Sequence, residues 1–215
     1  MIHLILGGAR SGKSSYAEQL CADIAESNRF TSPMLYVATA QDFGDEEMHD
    51  RIAKHQQNRN DDNKNWRLIE CPIALSELLS ELLCKSSKDK NVQTEPASII
   101  LIDCLTLWLN NIIFKLGDDA KQSQIEQYSE QLINVVSRYK NCTEQHLVLV
   151  ANEVGLGIVP LGKVNRLFVD NAGWLNQKLA QQADHVSLIT AGIPMLLKGK
   201  ELKGQAIKRQ GRDHD

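Results

Sequence analysis

The sequence lacks the features that mark secreted, membrane-spanning and nucleic-acid-binding proteins. Its five cysteines are an odd number among 215 residues, and none of them forms a C-x-x-C pair. A disulfide framework is therefore not indicated. No apolar run is long enough to cross a bilayer, and the amino terminus has no signal-peptide pattern. The net charge of -3 indicates no broad basic surface for nucleic acid. We expect a cytoplasmic protein with no transmembrane segment and no nucleic-acid partner.

The strongest motif is the sequence GGARSGKS at residues 7–14. It fits G-x-x-x-x-G-K-[ST], the phosphate-binding P-loop, and it lies between an apolar run at residues 2–6 and a segment with helical apolar spacing. Glycines let backbone N–H groups turn toward a polyphosphate, and the helix N-terminus adds partial positive charge. Lys13 is expected at the β- and γ-phosphates and Ser14 at Mg²⁺. A chance Gly-rich turn is the alternative, and the strand-to-helix context disfavours it.

Polar side chains follow three further apolar runs. Asp103 comes directly after residues 99–102, which is the Walker-B pattern of a carboxylate that holds Mg²⁺. Thr39 follows residues 34–38, and Glu153 comes soon after another apolar run. Ligands of α/β proteins bind at the carboxyl ends of strands, so Thr39 is placed to reach a nucleotide. An ordinary polar strand end explains Thr39 equally well.

The order of the segments predicts one α/β domain over residues 1–196. Strand and helix patterns alternate, which is typical of a parallel sheet with helices on both faces, although the strand order does not follow from the sequence. We predict a helix that begins at Pro72 and a last strand at residues 186–190. The basic segment 197–215 is predicted to be a flexible tail.

A polar segment between the second and third predicted strands carries a histidine. Arg51, His55 and Arg59 step by four and share one face of a predicted helix. A histidine between two arginines suits an anionic ligand. A solvated helix face with a half-buried histidine explains the same pattern, and without further information it is the preferred interpretation.

Missing motifs narrow the class of P-loop protein. A regulatory GTPase needs a base-reading Asn-Lys-x-Asp, which this sequence does not contain. A motor or RecA-like ATPase usually has a second acid beside the Walker-B aspartate, whereas Cys104 follows Asp103. These absences favour a small-molecule kinase or a nucleotidyl transferase.

Seven stretches in the same order resemble a known family. The chain is similar, from residue 2 to about residue 195, to the bifunctional adenosylcobinamide kinase/adenosylcobinamide-phosphate guanylyltransferases of cobalamin biosynthesis. The stretches that carry the resemblance are residues 7–14, 36–40, 51–55 with Arg59, 66–67 with Glu70, 101–106 with Asn110, 152–160, and 166–170 with Gly173, Asn176 and Gln177.

The resemblance implies a fold, substrates and roles for particular residues. It implies a RecA-like P-loop NTPase sheet, a homotrimer, and adenosylcobinamide with GTP and ATP as substrates. His55 matches the histidine that becomes covalently guanylylated, and Lys54 stands where some relatives have a second histidine. The positions implied to contact the nucleotide are Gly7, Gly8, Ala9, Arg10, Ser11, Gly12, Lys13, Ser14, Val37, Ala38, Thr39, Gln56, Gln57, Asn58, Arg59, Glu70 and Asp103.

The residues themselves can support both reactions. Phosphoryl transfer to an alcohol needs positioning and charge neutralisation, which Lys13, with Mg²⁺ held by Ser14 and Asp103, can supply. Nucleotidyl transfer by double displacement needs a nucleophile that is also a leaving group, and neutral imidazole is both near pH 7. Two alternatives stay open: another P-loop kinase without a covalent step, and a nucleotide-gated binding or regulatory protein.

Overall fold

A computed structural model describes residues 1–41, 66–84, 98–117, 119–143, 145–158 and 160–200. Strands and helices alternate along these residues, with a one-turn 3-10 helix, Tyr139–Asn141, near the middle. In chain order the elements are β1 (Ile2–Gly7), α1 (Lys13–Asn28), β2 (Met34–Ala38), β3 (Trp66–Glu70), α2 (Leu75–Cys84), β4 (Ile99–Asp103), α3 (Leu105–Leu116), α4 (Gln122–Arg138), β5 (His146–Asn152), α5 (Lys163–Gln182), β6 (His185–Thr190) and β7 (Ile193–Lys198).

The described strands form one sheet in the order β3-β2-β4-β5-β1-β6-β7. Every neighbouring pair is parallel except β6 and β7, which are antiparallel. The predicted mostly parallel sheet is thus confirmed. Strand β5 lies between β1, which leads into the P-loop, and β4, which ends in Asp103. Two strand spacings, roughly 10 Å, therefore separate the Walker-B strand from the P-loop strand.

Strands β1, β2, β4 and β5 are buried on both faces, which explains why each of them is a continuous apolar run in the sequence. Side chains alternate between two cores along each strand. Leu4 and Leu6 of β1 pack into the core under α2, α3, α4 and α5, whereas Ile5 packs into the core under α1. Helices thus cover both faces, as the alternation of strands and helices predicted.

Strand β7 was not predicted from the sequence. Residues 197–215 were expected to form a flexible tail, but Leu197 and Lys198 belong to β7, which pairs with β6. The Lys198 ammonium donates to the carbonyls of Ala180 at 2.9 Å and Gln181 at 3.2 Å. Because carbonyls at a helix C-terminus attract a cation, this contact fastens the strand to α5.

Helix α2 begins later than predicted. Pro72 was expected to start it, but its first residue is Leu75. The Pro72 carbonyl accepts a hydrogen bond from Asn111 at 3.1 Å, and the Ile73 carbonyl accepts one from the Trp108 indole at 2.9 Å. Side chains of α3 thus hold the segment before the helix.

Candidate active site

The P-loop turn has the backbone conformation that its sequence predicted. Gly12 has a φ of 91° and Arg10 a φ of 56°, so the chain turns through the left-handed region before α1 begins. The Ser11 N–H donates to the Gly8 carbonyl at 3.3 Å, and the Lys13 ammonium donates to the same carbonyl at 3.2 Å. The Lys13 ammonium therefore contacts the loop in which it is expected to bind phosphate.

The base of the loop fits closely against neighbouring strands. A Cβ on Gly7 would lie 2.5 Å from the Ser11 Oγ and 2.7 Å from the Ile189 carbonyl, so only glycine fits there. The Gly192 N–H, from the turn after β6, donates to the Ser11 carbonyl at 2.8 Å. The Ser11 Oγ is buried and has no hydrogen-bond partner among the described residues. An unsatisfied buried hydroxyl is costly, and a bound phosphate oxygen would satisfy it.

Two predicted carboxylates lie in one row at the carboxyl edge of the sheet. Ala38 of β2 is in register with Glu70 of β3 on one side and with Asp103 of β4 on the other. Paired residues of parallel strands share a face, and Ala38 packs into the core under α1, the helix that follows the P-loop. Glu70 and Asp103 therefore lie on the P-loop side of the sheet, roughly 10 Å apart.

Asp103 has a defined partner, because the buried Tyr36 hydroxyl donates to its carboxylate at 2.8 Å. This bond leaves acceptor positions on the carboxylate for Mg²⁺ or a ribose hydroxyl. Ser14, the second predicted metal ligand, lies in the first turn of α1. Within the described residues no cluster of three or more His, Cys, Asp or Glu side chains could hold a metal. One or two protein oxygens with phosphate oxygens are the usual ligands of Mg²⁺ at P-loop sites, so this pair fits that ion.

Two predicted contact residues are occupied by the fold itself. Thr39 is 0% exposed, and its hydroxyl donates to the Cys104 carbonyl at 2.7 Å. Val37 is also 0% exposed and packs under the helices on the far face. Their side chains thus stabilise the packing of β2, and a nucleotide could meet only their backbone.

The predicted nucleophile and its neighbours, Arg51, Lys54, His55, Gln56, Gln57, Asn58 and Arg59, lie outside the described residues. Cys104, next to Asp103, is no alternative nucleophile. Burial, followed by the charge of Asp103, raises the pKa of its thiol to about 11, so it stays a neutral thiol at pH 7.

The structure also reveals supporting contacts that the sequence did not predict. The Thr106 hydroxyl accepts from the Asn152 N–H at 2.6 Å, and the Asn176 side chain donates to the Asn152 carbonyl at 3.1 Å. Both bonds hold the end of β5 beside the P-loop. The only sequence signal for Tyr36 was a hydroxyl in an apolar strand, since a buried tyrosine needs a partner. Gly192 was recognisable as a turn residue, but its hydrogen bond to Ser11 was not, because the two residues are 181 positions apart.

A P-loop between a parallel strand and a helix, faced by carboxylates from neighbouring strand ends, defines an α/β P-loop nucleotide-binding protein. The family described as cobinamide kinase / cobinamide phosphate guanyltransferase matches residues 3–197, and the chain belongs to that family.

Three curated relatives are similar over nearly the whole chain. A bifunctional adenosylcobalamin biosynthesis protein, CobP, of Pseudomonas aeruginosa is 42% identical over 202 residues, which is 94% of this chain and 100% of the relative. The proteins named CobU of Escherichia coli and Salmonella typhimurium are each 36% identical over 204 residues, covering 92% of this chain and 100% of the relative. The described residues contain no helix that is both long and apolar enough for a membrane span.

Proposed function

We propose that this chain catalyses two successive reactions on a corrinoid. It phosphorylates the hydroxyl of adenosylcobinamide with ATP or GTP, and it then transfers GMP from GTP to the new phosphate to give adenosylcobinamide-GDP. The observation that carries the proposal is the formed P-loop, with its carboxylate row, in a chain that matches the family over residues 3–197. The similarity covers the full length of those relatives.

The charged groups around the P-loop support the kinase reaction. Lys13 would neutralise the β- and γ-phosphates, and backbone N–H groups of residues 8–14 would hold their oxygens. Ser14 and Asp103 would hold Mg²⁺, which supplies further neutralisation of the phosphate charge when it is bound. Such a site acts mainly by positioning, since phosphoryl transfer asks little covalent chemistry of the protein.

The guanylyltransferase half needs a covalent step at His55. A ring nitrogen of neutral His55 attacks the α-phosphorus of GTP, a P–N bond forms, and pyrophosphate leaves. A phosphate oxygen of the phosphorylated corrinoid then attacks the same phosphorus, and the imidazole leaves. The P–N bond formed in the first step is thus broken in the second, and the histidine returns unchanged.

Mass analysis of the protein after incubation with GTP and Mg²⁺ tests the covalent step. We expect one GMP adduct on the His55 peptide, labile to acid and stable to base, as a phosphoramidate is. His55→Ala should lose the adduct and all GMP transfer while it keeps kinase activity, because the phosphoryl group goes directly to the alcohol. His49→Ala is the matched control and should form the adduct normally.

The outcome of this experiment distinguishes the proposed enzyme from a P-loop kinase without a covalent step and from a binding or regulatory protein. Turnover of ATP with a corrinoid but without any adduct would indicate a P-loop kinase with no covalent step. Nucleotide binding without turnover would indicate a binding or regulatory protein. An adduct on Lys54, or GMP transfer by His55→Ala, would overturn the assignment of His55.

Association as a homotrimer and a cytoplasmic location are parts of the same proposal. Exposed apolar side chains on the edge strand β7, Ile193 at 62% and Met195 at 56%, support contact with another copy of the chain. Sedimentation equilibrium should give three times the chain mass, and a monomer at micromolar concentration would contradict the trimer.

A further inference from the structure

A cavity of about 480 Å³ lies between helix α5, the segment after β5 and strands β6 and β7, and Leu6, the residue before the P-loop, also lines it. Its volume lies within the range of about 300–1,000 Å³ that is usual for small-molecule sites. The wall combines apolar side chains with polar groups: Glu153, Leu156, Asn176 and Gln177 are among the lining residues. None of these four side chains belongs to the predicted nucleotide site.

Glu153 is fixed at the point where this cavity meets the P-loop. Its backbone N–H donates to the carbonyl of Gly7, the first P-loop residue, at 3.1 Å. The preceding residue, Asn152, is held at its N–H by Thr106 and at its carbonyl by Asn176. The Glu153 Oε1 accepts from the Gly155 N–H at 2.7 Å, which orients the carboxylate. Glu153 thus follows β5 directly beside the first residue of the P-loop, with its carboxylate oriented by Gly155.

The loop that continues from Glu153 carries large apolar side chains in solvent. Leu156 is 85% exposed, Ile158 is 98% exposed and Leu161 is 95% exposed. Leu156 also lines the cavity, so this run of three exposed apolar side chains within six residues begins at the cavity wall. Contiguous exposed apolar surface in a soluble domain indicates a contact with a ligand or a partner.

We infer that this cavity and loop form the acceptor site of the kinase reaction, and that Glu153 is its catalytic base. This inference rests on the proposed function, because it takes the acceptor to be the corrinoid alcohol. The short hydroxyl-bearing arm of the acceptor enters the cavity, where Asn176 and Gln177 face its amide. The apolar part of the macrocycle covers Leu156, Ile158 and Leu161. The cavity is too small for a whole corrin ring, so the ring lies outside it on the loop.

The chemical step is balanced without any further reactant. The acceptor hydroxyl oxygen attacks the γ-phosphorus of the nucleoside triphosphate held by the P-loop. The new O–P bond forms, the bond to the β,γ-bridging oxygen breaks, and the nucleoside diphosphate leaves. The hydroxyl proton passes to the Glu153 carboxylate, as it passes to an aspartate in other kinases, and is then lost to water.

Glu153→Gln tests the base, because it keeps the shape and the bond from Gly155 while it removes proton acceptance. We expect kcat of corrinoid phosphorylation to fall about 100-fold, in the range usual for a general base. The acid limb of the wild-type pH–rate profile should disappear, whereas a merely structural role would leave that limb in place. The dissociation constant for ATP should change less than twofold. Glu130→Gln, at a surface ion pair with Lys178, is the matched control and should behave as wild type.

Leu156→Thr with Ile158→Thr tests the apolar surface. We expect KM for the corrinoid to rise about tenfold, because each substituted side chain loses part of its apolar contact with the ligand. KM for ATP should stay unchanged. Leu68→Thr, on the opposite edge strand β3 and 43% exposed, is the control and should leave both constants unchanged.

Each result decides the inference. Wild-type kinetics in Glu153→Gln, or a loss confined to ATP or Mg²⁺ affinity, would overturn the role of Glu153 as base. An unchanged corrinoid KM in the double variant would overturn the loop as its binding surface. In both cases wild-type phosphorylation of the corrinoid would leave the proposed function standing. If the wild-type protein phosphorylates no corrinoid, the proposed function fails, and the inference fails with it.

Discussion

The two ends of strand β1 are built for different purposes. At its amino end, His3 stacks between His146 and His185, with ring centroids 5.7 Å and 5.0 Å away, and His3 is only 2% exposed. At its carboxyl end, Gly7 leads into a loop whose buried Ser11 hydroxyl has no hydrogen-bond partner in the part of the chain that the structure describes. The histidines at the amino end contact one another inside the fold, whereas the Ser11 hydroxyl at the carboxyl end is available to a ligand. Substitutions at the amino end should therefore change stability, and those at the carboxyl end should change activity.

The largest effect is expected from Lys13→Ala at the carboxyl end. It should lower kinase kcat/KM about 1,000-fold, because it removes a cation from the developing phosphate charge. The melting temperature should stay near that of wild type, since within the described part of the chain the Lys13 ammonium donates a single hydrogen bond, to the exposed Gly8 carbonyl. Steady-state kinetics and thermal unfolding measure the two quantities. Lys115→Ala, on α3, is the control, and near-normal turnover by Lys13→Ala would refute the P-loop assignment.

The amino end should make stability depend on pH. Burial first, and then the neighbouring His185 and His146, lower the pKa of His3 to about 3. Burial, and then the charged amino terminus, lower the pKa of His146 to about 4, while Asp184 opposes the shift in both. The unfolded chain takes up these protons below pH 6.5 and the folded chain does not. Stability is therefore fully present above pH 6.5 and is lost as the pH falls toward 4 and 3.

His3→Gln measures this loss. For each histidine we expect the unfolding free energy to fall by about 1.4 kcal/mol per pH unit below 6.5. His3→Gln should therefore show a shallower slope between pH 6.5 and 4.5 in urea unfolding, while its kinase activity at pH 8 stays normal. A slope equal to that of wild type would show that His3 titrates alike in both states.

The smallest of the three effects is expected from Asp103→Asn. The change keeps the hydrogen bond from Tyr36 and removes the charge, so a metal role predicts a Mg²⁺ requirement raised about tenfold. Magnesium titrations of kinase activity measure it, with Asp23→Asn on α1 as the control. An unchanged titration would leave Asp103 a hydrogen-bonding residue, near the ribose for example.

Local sequence was sufficient to predict the P-loop and most of the strands and helices. The P-loop pattern is local to residues 7–14, so eight contiguous residues predict the turn, although distant Gly192 and Glu153 also hydrogen-bond to it. Strands buried on both faces must be apolar throughout, and the runs at 2–6, 34–38 and 99–102 were recognised for that reason. Strand β7 was missed because its first residues follow a glycine turn, include Pro194 and are largely exposed, so no buried pattern marks it.

The sequence by itself determined which residues could do chemistry, and the tertiary structure decided which of them meet. Asp103 was recognisable as a carboxylate at a strand end and Glu70 through the family resemblance, but their shared row depends on the strand order, which is set by packing between distant segments. Thr39 looked available for a nucleotide until the packing of β2 against β4 buried it. Glu153 lies beside Gly7 only because β5 pairs with β1 across 146 residues. A sequence motif reflects contacts between residues that are near one another in the chain. A site at the edge of a parallel sheet is instead assembled from residues that only long-range strand pairing brings together.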